Sequence, residues 1–221
     1  MIRAGLPLLL AAVLGGCATV ESAYRTFLED HLYEYPLPEP RAFRDSSIDY
    51  GMVRRVLALP LIDESGHGAP TVVVSEALGD SIARLRRFEV VRPNAADASL
   101  KADAGPLASG RIPVSTIIDL GRRYGVDAVL FGTISRYRPY APPSLAIGAS
   151  LIDVHTGKVL WSVSDFVDAT DSKTAVSIER WFEKNAAQDG TVFDREIVAT
   201  SPRWFARFAS DRVAGTLVSA N

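Results

Sequence analysis

The chain is poor in the residues that most often carry chemistry: one cysteine and three histidines in 221 residues. A single cysteine excludes an internal disulfide, so the fold must stand on packing. His31, His67 and His155 are far apart, and none has a second histidine or a cysteine at metal-ligand spacing. A formal net charge of -2 lacks the electrostatic footprint of a nucleic-acid-binding domain. Beyond the N-terminus no apolar run approaches the ~20 residues that a membrane-spanning helix requires. Gly-x-Ser-x-Gly elbow, Walker loop and dinucleotide fingerprint are all missing. The carboxylates Asp63, Glu64, Asp165 and Asp168 are scattered, and Asp153 meets His155 only around a turn. The expectation is a protein without catalytic residues, metal or cofactor.

What is present is an ordinary globular composition, 48% hydrophobic and 23% charged, in a length that suits one medium domain plus appendages. The first residues differ from the rest. Arg3 supplies a positive n-region, Leu6 to Leu14 an apolar h-region, and Leu14-Gly15-Gly16-Cys17 places small residues ahead of the cysteine. This resembles a bacterial lipobox. The resemblance implies cleavage before Cys17 and acylation of its thiol and new amino group, with palmitate among the chains. Each buried acyl methylene contributes about 0.8 kcal/mol, so several chains on one residue make a firm anchor. By resemblance to the enterobacterial sorting rule, in which an aspartate after the cysteine retains a lipoprotein at the inner membrane, Ala18 implies the outer membrane. The alternative reading is an uncleaved apolar N-terminus with an incidental cysteine.

Residues 1–16 are thus expected to be a lipoprotein signal peptide, 17–50 a lipidated tether and 51–221 a single domain. Within the tether, Tyr24, Phe27, Leu28 and Leu32 fall near one face of a short helix. Tyr35-Pro36-Leu37-Pro38-Glu39-Pro40 has proline at every second position and reads as a stiff extended spacer.

In the domain, Val53 to Pro60 reads as a first strand and Asp63 to Gly68 as a polar loop. A helix follows over about Pro70 to Arg87, with Val74, Leu78, Ile82 and Leu85 toward the core and Arg84, Arg86 and Arg87 on a solvated face. Phe88 to Arg92 is a second strand, Asn94 to Gly110 a surface connection, and Pro113 to Tyr124 a helix ended by Gly125. Val126 to Ile134 is apolar on both faces, as in a central strand. In Ser144 to Val154, Leu145, Ile147, Ala149 and Leu151 alternate with smaller residues. A turn at His155-Thr156-Gly157-Lys158 leads to a strand over Val159 to Val167, with Val159, Trp161 and Val163 on one face. Helices are expected over Thr174 to Gln188 and from the cap pair Ser201-Pro202 onward. The predicted class is α/β (α+β): a mixed five-stranded sheet flanked by helices, in the order β-α-β-α-β-β-β-α-α.

Val56-Leu57-Ala58-Leu59-Pro60, Arg87 to Val91, Tyr124 to Gly132 and Leu151 to Trp161 together resemble the CsgG superfamily of bacterial envelope lipoproteins. That superfamily includes the curli secretion channel, the LpoB-type activators of penicillin-binding proteins and the N-terminal domain of TolB. The resemblance spans roughly Val53 to Asp168. In the channel, two long hairpins inserted around these strands close into a membrane barrel. Here the corresponding connections are Arg136 to Pro143 and Ala169 to Lys173, too short for strands of ~9–11 residues each. The resemblance therefore implies the non-channel kind: a periplasm-facing module that binds an envelope protein partner. The remaining alternatives are a homo-oligomeric secretion ring of the curli type and a periplasmic cell-wall enzyme.

For the partner, Arg136, Tyr137, Arg138 and Tyr140 interleave two residue types enriched at interface hot spots on a proline-stiffened loop. The competing reading is an ordinary connection whose tyrosines pack down on the sheet. The partners expected are therefore the membrane, through the N-terminal lipid, and an envelope protein.

Overall fold

A computed structural model describes residues 37–93, 112–138, 140–189 and 201–218, with the backbone alone for 186–189. Cys17, His31, the Val20 to Leu32 helix and the Asn94 to Gly110 connection lie outside them.

Among the described residues seven strands form one mixed sheet: β1 (Arg41–Arg44), β2 (Arg55–Ala58), β3 (Ile62–Asp63), β4 (Glu89–Val91), β5 (Ala128–Arg138), β6 (Ser144–Asp153) and β7 (Val159–Asp168). The helices are α1 (Thr71–Arg84), α2 (Val114–Tyr124), α3 (Ser172–Asp189) and α4 (Pro202–Gly215), preceded by a 3₁₀ turn at Tyr50–Met52. The sheet order is β1-β7-β6-β5-β2-β4, with β3 also on β5. β2, β3 and β4 run parallel to their neighbours, and β5, β6, β7 and β1 are joined antiparallel.

The α+β class and the chain order match the expectation, with two short strands added. β3 continues β2 along β5 after the break at Pro60: Leu59 N–H donates to Leu130 C=O, and Glu64 N–H to Ile134 C=O, both at 2.9 Å. β1 lies ahead of Gly51, within the stretch assigned to the tether, and pairs with β7 from Arg41↔Ser164 to Arg44↔Trp161. Tyr50 is buried there, its hydroxyl donating to Leu160 C=O.

One sheet face is covered by α1 and α4, which pack on each other while α4 lies on β6 and β7. Trp161 marks that face: wholly buried, it donates its indole N–H to Thr216 Oγ1 at 2.9 Å. Leu130, Leu151 and Trp161 stand side by side across β5, β6 and β7, and Phe205, Phe208 and Val213 close the core from above. Burying side chains of this size contributes about 1.5–3 kcal/mol each. The opposite face is covered at one end, where Ile117 and Leu120 of α2 pack on Leu57, Val129 and Val154. Gly125 ends α2 in the left-handed region, φ 59°, and Gly157 turns the β6–β7 hairpin at φ 69°.

Two local expectations are corrected. Val159 does not share a face with Trp161: a register shift between Leu151 and Ile152 leaves Val159 exposed while Leu160 and Trp161 are both buried. Ser201 occupies the N-cap of α4 and Pro202 its first turn, but the serine side chain makes no capping bond. Among the described residues no helix is long and apolar enough to cross a membrane.

Candidate partner-binding surface

The stretch Arg136 to Pro143 is not a single loop. β5 extends through Arg136, Tyr137 and Arg138, which pair with Ala146, Leu145 and Ser144. The proline cluster suggested a connection throughout, but the pairing partner on β6 keeps the strand in its ladder until Arg138. A bulge between Ile134 and Arg136 places one extra residue on β5 and re-aims the side chains beyond it.

The four candidate residues therefore separate by direction. Arg136 and Arg138 join the open face, because their β6 partners Ala146 and Ser144 alternate with Leu145 and Ile147 of the helix-covered side. Arg136 lies over the Phe166 ring, 5.5 Å from its centroid. Arg138 donates from Nε to Pro142 C=O at 2.9 Å and from Nη2 to Asp168 Oδ1 at 2.7 Å. Burial would raise the Asp168 carboxyl, but bonds from the Thr170 N–H and hydroxyl, with Arg138 beside them, hold it below the usual carboxylate range. Tyr137 is half-buried, and desolvation raises its phenol. It packs down as an ordinary strand residue, whereas Tyr140 at the hairpin tip is 81% exposed.

Beyond the hairpin the open face is lined by small and hydroxylated side chains. Phe131, Ser150, Ser162 and Phe43 form one cross-strand row; Thr133, Gly148, Ser164 and Arg41 form the next. Together they floor a concave cleft of about 620 Å³, with Glu64 at its rim. Phe43 and Phe166 are both about half exposed, at 54% and 48%. Single exposed apolar residues are common; two aromatics flanking one hydroxyl-lined floor form a surface.

Phe43, Phe166 and the cleft were not among the residues singled out in the sequence. The available signal was the small-residue phase of two strands, Gly148 and Ser150 on β6 with Ser162 and Ser164 on β7, which marks the part of the face that α2 leaves uncovered.

The remaining polar candidates have local structural uses. Asp63 accepts from Ser65 N–H and Oγ and from Ala69 N–H, and these bonds, Ser65's hydroxyl foremost, hold its carboxyl low. Asp153 closes its own turn by accepting from His155 N–H, Thr156 N–H and Thr156 Oγ1. Asp165 is taken by Arg212. His67 and His155 are exposed in turns. Among the described residues no group of three or more His, Cys, Asp or Glu is placed to hold a metal ion.

The fold and surface define a class: an α+β domain whose mixed sheet is helix-covered on one face and largely open on the other. No family model and no curated protein matches the sequence. Several solved structures are similar in part. The PelC dodecamer from Paraburkholderia phytofirmans is 15% identical over 62% of this chain and 86% of that one, with a TM-score of 0.43. Lipoprotein GNA1162 from Neisseria meningitidis is 19% identical over 63% of this chain and 99% of that one, TM-score 0.41. The LpoB C-terminal domain from Salmonella enterica is 20% identical over 52% of this chain and 83% of that one, TM-score 0.37. At these identities and scores no partner or residue role transfers to the present chain.

Proposed function

We propose that the protein is an interaction lipoprotein of the bacterial envelope, anchored to the outer membrane through Cys17 and facing the periplasm. Its role is that of an accessory or scaffold in envelope or surface-structure assembly, a binding module rather than an enzyme. The anchor rests on the Leu14-Gly15-Gly16-Cys17 motif behind its apolar segment. The binding role rests on one structural observation: the open sheet face presents Phe43 in a hydroxyl-lined cleft, with Phe166 and Arg136 farther along the same face and Tyr140 exposed at the hairpin tip. Aromatic residues and arginine in such a setting are the types that anchor protein interfaces.

The β5–β6 connection, residues 139–143 between Arg138 and Ser144, is far shorter than a pair of membrane strands, so the reading does not extend to a channel. The test is site-specific photocrosslinking in cells producing the intact lipoprotein, with the crosslinker at Tyr140 or Phe166 and a control at Val72, exposed on α1. The expected result is capture of an envelope protein from the first two positions and not from the third. Equal capture from all three, or none, overturns the reading.

A further inference from the structure

The sequence contains three Arg-Arg dipeptides, Arg54-Arg55, Arg86-Arg87 and Arg122-Arg123, separated by 30 residues or more each. The fold brings all three to one edge of the molecule. Arg55 opens β2, Arg86-Arg87 precede β4 with Phe88 between, and Arg122-Arg123 lie in the last turn of α2, four residues before β5. The three strands are adjacent and parallel, with a spacing of ~4.8 Å.

The platform under them is tightly built. Arg54 N–H donates to Asp127 Oδ2 at 2.8 Å, while its C=O accepts from Glu89 N–H at 2.7 Å, so its backbone bridges both neighbouring strands. Arg55 reaches both ways as well, with Nε to Glu89 Oε2 at 3.2 Å and Nη1 to Tyr124 C=O at 3.4 Å. Arg54, Arg86, Arg87, Arg122 and Arg123 are exposed. Arg86 sits at φ 54°, the one non-glycine residue in the left-handed region among the described residues. A bulky side chain there is an outlier, tolerated where the surroundings or a function hold it.

Six arginines gather at this edge in a chain whose net charge is -2; Glu89 is paired with Arg55, and Asp127 accepts from the Arg54 and Arg55 backbone N–H groups. The C-termini of α1 and α2 also point here. Each supplies about half a negative charge. Beside the ridge, Arg122, Asp127 and His155, with Ile118, Val126 and Val154, line a hollow of about 470 Å³.

We infer that this arginine ridge binds the phosphate-bearing headgroups of an anionic membrane surface. Guanidinium groups match phosphate oxygens in bidentate geometry, and a row of them on a rigid edge suits a planar array of phosphates. The choice of a lipid surface among polyanions rests on the proposed Cys17 anchor: residues 18 to 37 span at most ~70 Å when fully extended, which keeps the domain at high effective concentration over the headgroups.

The test uses the mature chain carrying Cys17→Ser, so that no acyl chain contributes. It is sedimented with vesicles of phosphatidylcholine alone or with 30% phosphatidylglycerol. Binding is expected to the anionic vesicles and not the neutral ones, and to be lost as salt is raised, because surface attraction is screened. Arg54→Gln, Arg86→Gln and Arg122→Gln together are expected to weaken it roughly a hundred-fold, about five-fold per arginine. The same loss of charge at Arg92, Lys184 and Arg203, exposed elsewhere, should leave it unchanged, with circular dichroism showing both variants folded. No binding to anionic vesicles, equal binding to neutral ones, or equal weakening by the two triple variants overturns the inference. Failure of the anchor reading is seen separately, as an unacylated Cys17 in the mass spectrum of the native protein.

Discussion

Arg212 on α4 and Asp165 on β7 form a two-pronged ion pair, Nε to Oδ2 at 2.8 Å and Nη2 to Oδ1 at 3.2 Å. Both side chains are largely shielded, at 16% and 8% exposure, and Arg212 Nη2 also donates to Pro38 C=O at 2.7 Å. One guanidinium thus fastens the last helix to the sheet and pins the start of the domain beside them.

Removing the carboxylate leaves a shielded charge without its partner. Asp165→Ala is expected to cost about 3–5 kcal/mol, lowering Tm by roughly 6–20 °C in a domain of this size. Replacing both Arg212 and Asp165 with apolar residues should recover most of that loss. Thermal denaturation of the two single variants and the double variant checks it through the coupling term.

A second site tests packing. A methyl at Gly121 would stand 2.6 Å from Val154 Cβ and 2.8 Å from its Cγ2, where α2 presses on the β6–β7 hairpin. Alanine would otherwise favour a helix by about 1 kcal/mol over glycine. Gly121→Ala is nevertheless expected to destabilise by about 1–3 kcal/mol through overpacking. Adding Val154→Ala should make the two changes less than additive in chemical denaturation, whereas independent sites would sum.

Acid should loosen the hairpin base. Asp168 has an ordinary value of 3.8 and a lower one in the fold. A carboxyl whose folded pKa is depressed contributes stability that is fully present above its unfolded value and is lost as pH falls through the folded one. Asp168→Asn should therefore narrow the Tm difference from wild type as pH drops below about 4, and leave it constant from pH 5 to 7. A difference that instead grows toward acid would contradict the sign.

On the open face, Phe166→Ser and Tyr140→Ser should each change stability by less than about 0.5 kcal/mol, as substitutions at exposed positions do. They should reduce crosslinking to the partner from the other position of the pair. Loss of crosslinking accompanied by a large fall in Tm would point to misfolding and not to a lost contact.

The legible parts of the sequence were those where one local pattern had one reading. Val74, Leu78 and Ile82 at helical spacing are buried on α1. Leu145, Ile147, Ala149 and Leu151 alternate along β6 and are buried on the helix-covered face. β1 was not legible because Arg41-Ala42-Phe43-Arg44 is mostly exposed and comes after a proline-rich stretch; its hydrogen bonds come from β7, 120 residues away. β3 has two residues, and no periodicity shows in two. Arg136 to Arg138 sit among prolines and tyrosines, and the ladder with β6 extends the strand through them.

Local composition by itself determined the four described helices, the central strands and the glycine turns, because periodicity and the left-handed freedom of Gly125 and Gly157 act over a few residues. It also placed a lone cysteine after a run of small residues. Tertiary structure decided which sheet face α1 and α4 cover, and hence that Phe43, Phe166 and Arg136 share the open one. It likewise decided that three distant arginine pairs meet at one edge. Neither result could be read along the chain, since both depend on strand order, which is set by pairing between segments far apart in sequence.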